Sequence, residues 1–257
     1  MTRRLLTLLT ALLLASTVAA CTDTPALDDI AESATWADTT TRPSFALWKS
    51  ADGQFRFRLV DAKAAILATS EGYTSRLGAL NGLLSVLANG GDRSRYQVIG
   101  DATSGHFTLK APNGEIIATG TNKPSLAAAQ AAADATVAAV GAYRAAWTTA
   151  TGRRFAVRLD AGGKYYWNLH AGNGEIVLHS ERYDSEAAAL NGAFSVLDNG
   201  ATAARYQVLK AQSGQYYLNL TATNGQVIGT SELYATKSNA ERARDALIAL
   251  VPTVVIL

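Results

Sequence analysis

The chain has 257 residues, of which 48% are hydrophobic and 17% charged, with a formal net charge of +2. That is enough apolar material for one large or two small cores, and the charges are mixed along the chain, so it lacks the basic footprint of a nucleic-acid binder. Its single cysteine rules out an intramolecular disulfide, so the folded part must be held by its core alone.

At the start, Arg3 and Arg4 precede the apolar run Leu5 to Ala15, which ends in the small residues Val18, Ala19 and Ala20. This is the pattern of an export signal over residues 1–20, with an apolar core too short to span a bilayer stably. Val18-Ala19-Ala20-Cys21 resembles the lipobox of bacterial lipoproteins. The resemblance implies cleavage before Cys21, diacylglyceryl modification of its sulfur, and firm membrane attachment through more than one acyl chain. The alternative is ordinary secretory cleavage beside an incidental thiol. Thr22 rather than Asp after the cysteine resembles the outer-membrane sorting pattern, so the expected location is the bacterial envelope, at the outer membrane rather than the inner. Residues 21–44 are rich in Thr, Asp and Ala, contain Pro25 and Pro43 and show little apolar periodicity, which predicts a flexible tether. Trp36 within it has no assigned role.

The rest of the chain repeats itself. Four copies of a strand–strand–strand–helix unit span 45–91, 95–141, 155–200 and 205–251, about fifty residues each. The third copy is the clearest. Tyr165, Trp167, Leu169 and Ala171 alternate with Tyr166, Asn168 and His170, the period of a half-buried strand. Asn173-Gly174 predicts a type I′ turn, which would place Leu169 opposite Leu178 and Ala171 opposite Ile176. Asp184 or Ser185 is the predicted N-cap of a helix beginning at Glu186. Copies one and three share Leu-Asn-Gly within the helix (Leu80-Asn81-Gly82 and Leu190-Asn191-Gly192), whereas copies two and four share Arg-Tyr-Gln-Val at the first strand. A paired unit has therefore been duplicated, predicting two domains at 45–148 and 155–257. Gly82 and Gly192 cost about 1 kcal/mol against alanine inside a helix, so another backbone is expected to approach there. Copy one has Lys63-Ala64 where the others have Asn-Gly, predicting a less ideal turn, open to rearrangement. Copy two has lost the Ser-Glu pair found at Ser70-Glu71, Ser180-Glu181 and Ser231-Glu232, and its helix, predicted from Ser125 to Val140, is nearly all alanine.

Gly-x-Tyr-Tyr-x-Asn-Leu-x-Ala-x-Asn-Gly-x-x-Ile, Ser-Glu-x-Tyr and Asn-Gly-x-x-Ser-Val together resemble the YegP-like family of small bacterial domains of unknown function. Copies three and four carry these patterns well, copy one partly and copy two poorly. The resemblance implies an α+β fold of two tandem YegP-like domains. In each, a pair of βββα units shares one antiparallel sheet with helices on one face and an exchanged closing strand. Tyr143 to Thr148 and Thr253 to Leu257 are the candidate closing strands. The family brings no catalytic or binding residues with it.

If helices cover the face carrying Phe155, Trp167 and Leu169, the opposite face carries Arg158, Tyr166, Asn168, His170, Val177 and His179. The matching positions are Tyr217, Asn219, Thr221, Ile228 and Thr230 in copy four, and Trp48, Arg56, Arg58 and Val60 in copy one. Aromatic, amide and guanidinium groups on an open sheet suit a sugar chain or a peptide, although outward sheet positions are ordinarily Tyr, Thr, Asn and Arg. His170 and His179 are expected to lie diagonally on that face, but no third metal ligand accompanies them. The Ser-Glu pairs lack a histidine partner at repeatable spacing, so they are read as junction hydrogen bonds rather than a nucleophile and base. No cofactor, metal or catalytic residue is assigned. The expected role is non-covalent binding, with an envelope polysaccharide or protein as partner, or a structural one. The alternatives are an envelope enzyme with an unrecognised site, and self-association, as a homodimer, through strand exchange.

Overall fold

The structure, a computed structural model, describes residues 34–35 and 42–256. The expected signal peptide, Cys21, Trp36 and most of the expected tether lie outside these residues. Copy one forms β2 (Ser44–Lys49), β3 (Phe55–Val60), β4 (Ile66–Thr69) and α1 (Arg76–Asn89). Copy two forms β5 (Tyr96–Gly100), β6 (Gly105–Lys110), β7 (Ile116–Gly120) and α2 (Leu126–Thr149). Copy three forms β8 (Arg154–Leu159), β9 (Tyr165–His170), β10 (Ile176–His179) and α3 (Glu186–Asn199), and copy four β11 (Tyr206–Lys210), β12 (Tyr216–Thr221), β13 (Val227–Thr230) and α4 (Lys237–Leu250). Two-residue strands β1 (Ala34–Thr35) and β14 (Val255–Ile256) complete the set.

Each pair of copies builds one sheet of six antiparallel strands, extended by a two-residue strand at one edge. The orders are β1-β2-β3-β4-β7-β6-β5 and β11-β12-β13-β10-β9-β8-β14. The third strands meet in the middle, through Ala68–Gly120 and Thr69–Thr119 in the first sheet and His179–Thr230 in the second. Alternation decides the faces: Trp167 and Leu169 are fully buried beneath the helices together with Phe155 and Leu178, while Tyr166, Asn168 and His170 stay half-buried on the other side. The Phe155 and Trp167 rings meet edge to face with centroids 5.0 Å apart. Phe45, Phe57, Leu59, Phe107 and Leu109 make the equivalent layer of the first sheet. Helices α1 and α3 pack against each other, with Arg76 bonded to Asp198 at 2.8 Å and lying over the Phe194 ring. The described residues all belong to one compact unit.

Four local expectations are corrected. The Asn-Gly turns are not type I′, which needs two positive φ angles. Only the glycine has one, as at Gly174 (φ +87°), and Ala171 N–H donates to Glu175 O at 2.9 Å. The loop is therefore a three-residue turn closed by a glycine bulge, and Ile176 pairs with His170 rather than Ala171. In copy one Ala64 takes the glycine's place with φ 63° and keeps the same two hydrogen bonds. That turn is strained but not rearranged.

The closing strand exists in the second sheet, where β14 pairs with β8, in parallel. In the first, Tyr143 to Thr148 is helical: Tyr143 is fully buried against Phe45, 5.1 Å between ring centroids, and this packing carries α2 on to Thr149. The edge beside β2 is filled by β1 from the expected tether, antiparallel.

Gly82 and Gly192 make room for a side chain rather than a backbone. A Cβ on Gly192 would overlap the Tyr183 hydroxyl and lie 2.8 Å from its Cζ; one on Gly82 would overlap the Tyr73 hydroxyl. Copy four keeps the tyrosine, Tyr234, with Ala243 at the corresponding helix position.

Candidate functional site

The helix-free sides of the two sheets were the expected sites, and the structure treats them differently. On the first, Trp48 pairs with Arg56 and Ala46 with Arg58. Arg56 is consumed by its own hairpin, donating to both Asp52 carboxylate oxygens at 3.0 and 2.8 Å, to Gln54 Oε1 at 3.1 Å and to the Ser50 hydroxyl. These bonds hold the Asp52 carboxyl well below the usual carboxylate range. Arg58 is 9% exposed, with its guanidinium 5.5 Å from the Trp48 ring centroid and its Nε without a hydrogen-bond partner. Burial pushes its pKa down. Ser44, Ala46, Val60 and Thr108 on the same side are also buried. The expectation of an open face at Trp48, Arg56 and Arg58 is thus overturned: one arginine is locked in a turn and the other desolvated beside the indole.

The second sheet keeps its side accessible. Cross-strand register aligns Ala156, Asn168, His179, Thr230, Asn219 and Gln207 in one row across β8, β9, β10, β13, β12 and β11. Four of the five polar members had been singled out on the sequence, and Gln207 of Arg-Tyr-Gln-Val completes the row unforeseen. Only pairing between copies reveals it, because Gln207 joins through the Asn219 register. Within the row Thr230 Oγ1 donates to Asn219 Oδ1 at 3.0 Å, while His179 is exposed. Arg158 pairs with Tyr166 on one flank of the row. Tyr166 is half-buried under Arg182, whose guanidinium lies 3.9 Å from the ring centroid and is held by Asp160 at 2.8 Å. Tyr217, opposite Leu209, lies on the other flank by the internal symmetry. His170 and His179 are diagonal as expected, but His170 Nδ1 lies 2.9 Å from the Gly174 carbonyl. Among the described residues no three His, Cys, Asp or Glu side chains meet in a group fit for a metal. Ile228 is buried and Val177 half-buried against the core, so neither belongs to this surface.

The motif serines serve the backbone. Ser70, Ser180 and Ser231 are buried and accept from the N–H of Phe57, Trp167 and Leu218 at 2.9 Å, then donate to the carbonyls of Glu71, Glu181 and Glu232 at 2.8, 2.7 and 2.8 Å. The tyrosines of Arg-Tyr-Gln-Val do the same for helix ends: Tyr96 and Tyr206 donate to the Gly90 and Gly200 carbonyls at 2.7 Å.

Fold and motifs define a tandem α+β protein in which paired βββα repeats share a sheet and the recurring residues are spent on turns, caps and junctions. The chain belongs to the family described as "Domain of unknown function (DUF1508)", which matches residues 50–97, 160–207 and 211–251. The gap covers most of copy two, whose motifs are the thinnest. A UPF0339 protein of Bordetella pertussis is 54% identical over 91 residues, 35% of this chain and 78% of its own. A UPF0339 protein of Pseudomonas aeruginosa is 43% identical over 88 residues, covering 34% and 80%, and the UPF0339 protein YegP of Shigella flexneri is 40% identical over 87 residues, covering 34% and 79%. The solution structure of yegP from E. coli, described as a protein of unknown function, is 32% identical, covers 42% of this chain and 93% of its own, and has a TM-score of 0.39. The YegP-like resemblance carried by the sequence motifs is therefore the family found, in tandem copies.

Proposed function

We propose that the protein is a lipid-anchored module of the bacterial envelope, tethered through Cys21, that binds an extended polymer non-covalently on the helix-free side of its second sheet. The observation that carries this reading is the row Asn168, His179, Thr230, Asn219 and Gln207, a line of amide, imidazole and hydroxyl groups contributed by five adjacent strands. Strands lie about 4.8 Å apart, so this row extends roughly 20 Å, enough for several units of a polysaccharide or an extended peptide. Tyr217 flanks it with apolar ring surface, and on the other flank the Tyr166 ring is capped by the Arg182 guanidinium. The capture of the motif serine hydroxyls by backbone groups supports a binder over a hydrolase, because a nucleophile needs a base within hydrogen-bond reach. Anchoring is supported by Val18-Ala19-Ala20-Cys21 behind Arg3, Arg4 and the apolar run.

Crosslinking in intact cells, followed by purification of the lipidated protein from its own envelope, tests both halves. The expected result is co-purification of a polymer that is lost in an Asn168→Ala, Asn219→Ala double variant still found in the membrane fraction. Recovery of lipid alone refutes the binding half, and a Cys21→Ala variant that stays in the membrane fraction as fully as the parent refutes the anchor.

A further inference from the structure

We propose that a cleft on the helix side of the second sheet is a separate binding site for a single neutral saccharide unit. The cleft, of about 310 Å³, lies where the first turn of α1, the connection from β10 to α3, helix α3 itself and the β12–β13 hairpin converge. Three sequence motifs from two different copies meet there. Ser-Glu-x-Tyr contributes Glu181 and Tyr183, Leu-Asn-Gly contributes Asn191, and the Asn-Gly turn of copy four contributes Asn224. The fold explains Ser180, Gly192 and Gly225 in those motifs through a junction bond, a close approach and a positive φ. It does not explain Glu181 or Asn191.

Asn191 is half-buried, and its side chain has no hydrogen-bond partner among the described residues; the same holds for the Ser195 hydroxyl and the Glu181 carboxylate. Asn191 and Ser195 are one turn apart, so both groups project from the same face of α3 into the cleft. An accessible amide with no protein partner can exchange its water for the hydroxyl of a bound ligand without breaking any internal bond. In copy one the same pattern is not kept free: Ser85, the counterpart of Ser195, has its hydroxyl 3.4 Å from Asn89 Nδ2, and Asn81 is exposed.

The ligand class follows from the lining. No lysine or arginine faces the cleft, so nothing there would balance a phosphate or carboxylate. Beside the polar groups the cleft is lined by Tyr183 and two of the exposed large apolar side chains, Leu77 at 39% and Val227 at 43% exposure. An unpaired amide, a hydroxyl and a carboxylate set among aromatic and aliphatic side chains match a pyranose, which has hydroxyls around its rim and C–H faces. The tyrosine is held in place: its backbone bridges Tyr165 with bonds of 2.8 and 2.7 Å, and its hydroxyl sits over Gly192.

The test is saturation-transfer NMR and titration calorimetry on the full-length chain with glucose and N-acetylglucosamine, against glucosamine as a cation and glucuronate as an anion. The expected result is millimolar binding of a neutral sugar, weakened about tenfold by Asn191→Leu, the equivalent of one hydrogen bond. Ser195→Ala, a change that leaves the helix intact, should weaken it several-fold, and Lys63→Ala, in an exposed turn of the first sheet, should leave it unchanged. Absence of transfer from both neutral sugars overturns the proposal. So does equal or tighter binding of glucosamine or glucuronate, or neutral-sugar binding that survives both α3 substitutions. Because Asn168 and Asn191 lie on opposite sides, failure here is distinguishable from failure of the sheet-surface site.

Discussion

Gly141 and Gly192 both sit inside helices of this protein, and the same substitution should act on them with opposite signs. At Gly141, in α2, an added Cβ meets nothing within 4 Å, so Gly141→Ala gains only helix propensity and should stabilise by about 1 kcal/mol. At Gly192 the added Cβ overlaps the Tyr183 hydroxyl and lies 3.1 Å from Trp167 Nε1. Tyr183 cannot swing away freely, because its backbone is paired to Tyr165 on both sides. Overpacking of this kind costs about 1–3 kcal/mol, so after the propensity gain Gly192→Ala should be net destabilising by about 1 kcal/mol. The two variants should then differ by about 2 kcal/mol, or roughly 4–8 °C in Tm for a chain of this size. Urea unfolding of both, with and without Tyr183→Leu, measures the difference. In the Tyr183→Leu background the hydroxyl and ring are gone and Gly192→Ala should turn neutral or stabilising. Equal stabilisation by both alanines in the parent chain would refute the tyrosine as the reason for the glycine.

Ala64 occupies a left-handed turn position at a strain of about 1–2 kcal/mol, against about 0.4–1 kcal/mol of unfolded-chain entropy that glycine would add, so Ala64→Gly should raise stability by about 0.5–1 kcal/mol in urea titration. Ser180→Ala leaves the buried Trp167 N–H without its acceptor and should destabilise by about 1–3 kcal/mol, while Glu181→Gln, whose side chain takes no part in that junction, should leave the midpoint unchanged. Tyr206→Phe strips the Gly200 carbonyl of its donor and should cost about 1 kcal/mol. The carboxyls of Asp52, Asp92, Asp101, Asp160 and Asp184 are all held below their ordinary pKa by hydrogen bonds, to which a neighbouring cation adds at all but Asp101. Each therefore adds stability that is complete above the unfolded value near about 3.9 and fades as pH falls through the lower folded value, so Tm should drop below about pH 4, less steeply in Asp52→Asn.

Much of the fold was legible because the buried positions repeat. Trp167, Leu169 and Leu178 alternate cleanly, Ser185 caps α3, and four copies of one pattern identify two sheets before any coordinate is seen. What was misread was set by a single dihedral or by tertiary packing. Asn173-Gly174 allows either a two-residue turn or a bulged three-residue one, and only the φ of Asn173 separates them. Tyr143 reads equally well as a strand residue or as the last inward position of a long alanine helix. Contact with Phe45 decides for the helix. The site was half legible for a related reason: outward positions follow from alternation, but whether an outward arginine is free depends on neighbours across the sheet. Arg56 is held by an aspartate four residues earlier, and Arg58 is desolvated beside Trp48.

The division of labour between copies explains why they were duplicated in pairs rather than singly. The first member of each pair ends its helix at Gly90 or Gly200 with a carbonyl that its own residues leave unsatisfied, and the second member supplies the tyrosine that satisfies it. In the second pair the cleft beside Tyr183 likewise needs Asn224 and Val227 from the following copy. A lone βββα unit would keep its third strand as an open edge and its helix end uncapped, two liabilities that disappear together when a second copy pairs with it. The pair therefore folds as one object, with Arg-Tyr-Gln-Val standing only in the second members, where its tyrosine reaches the helix end of the first.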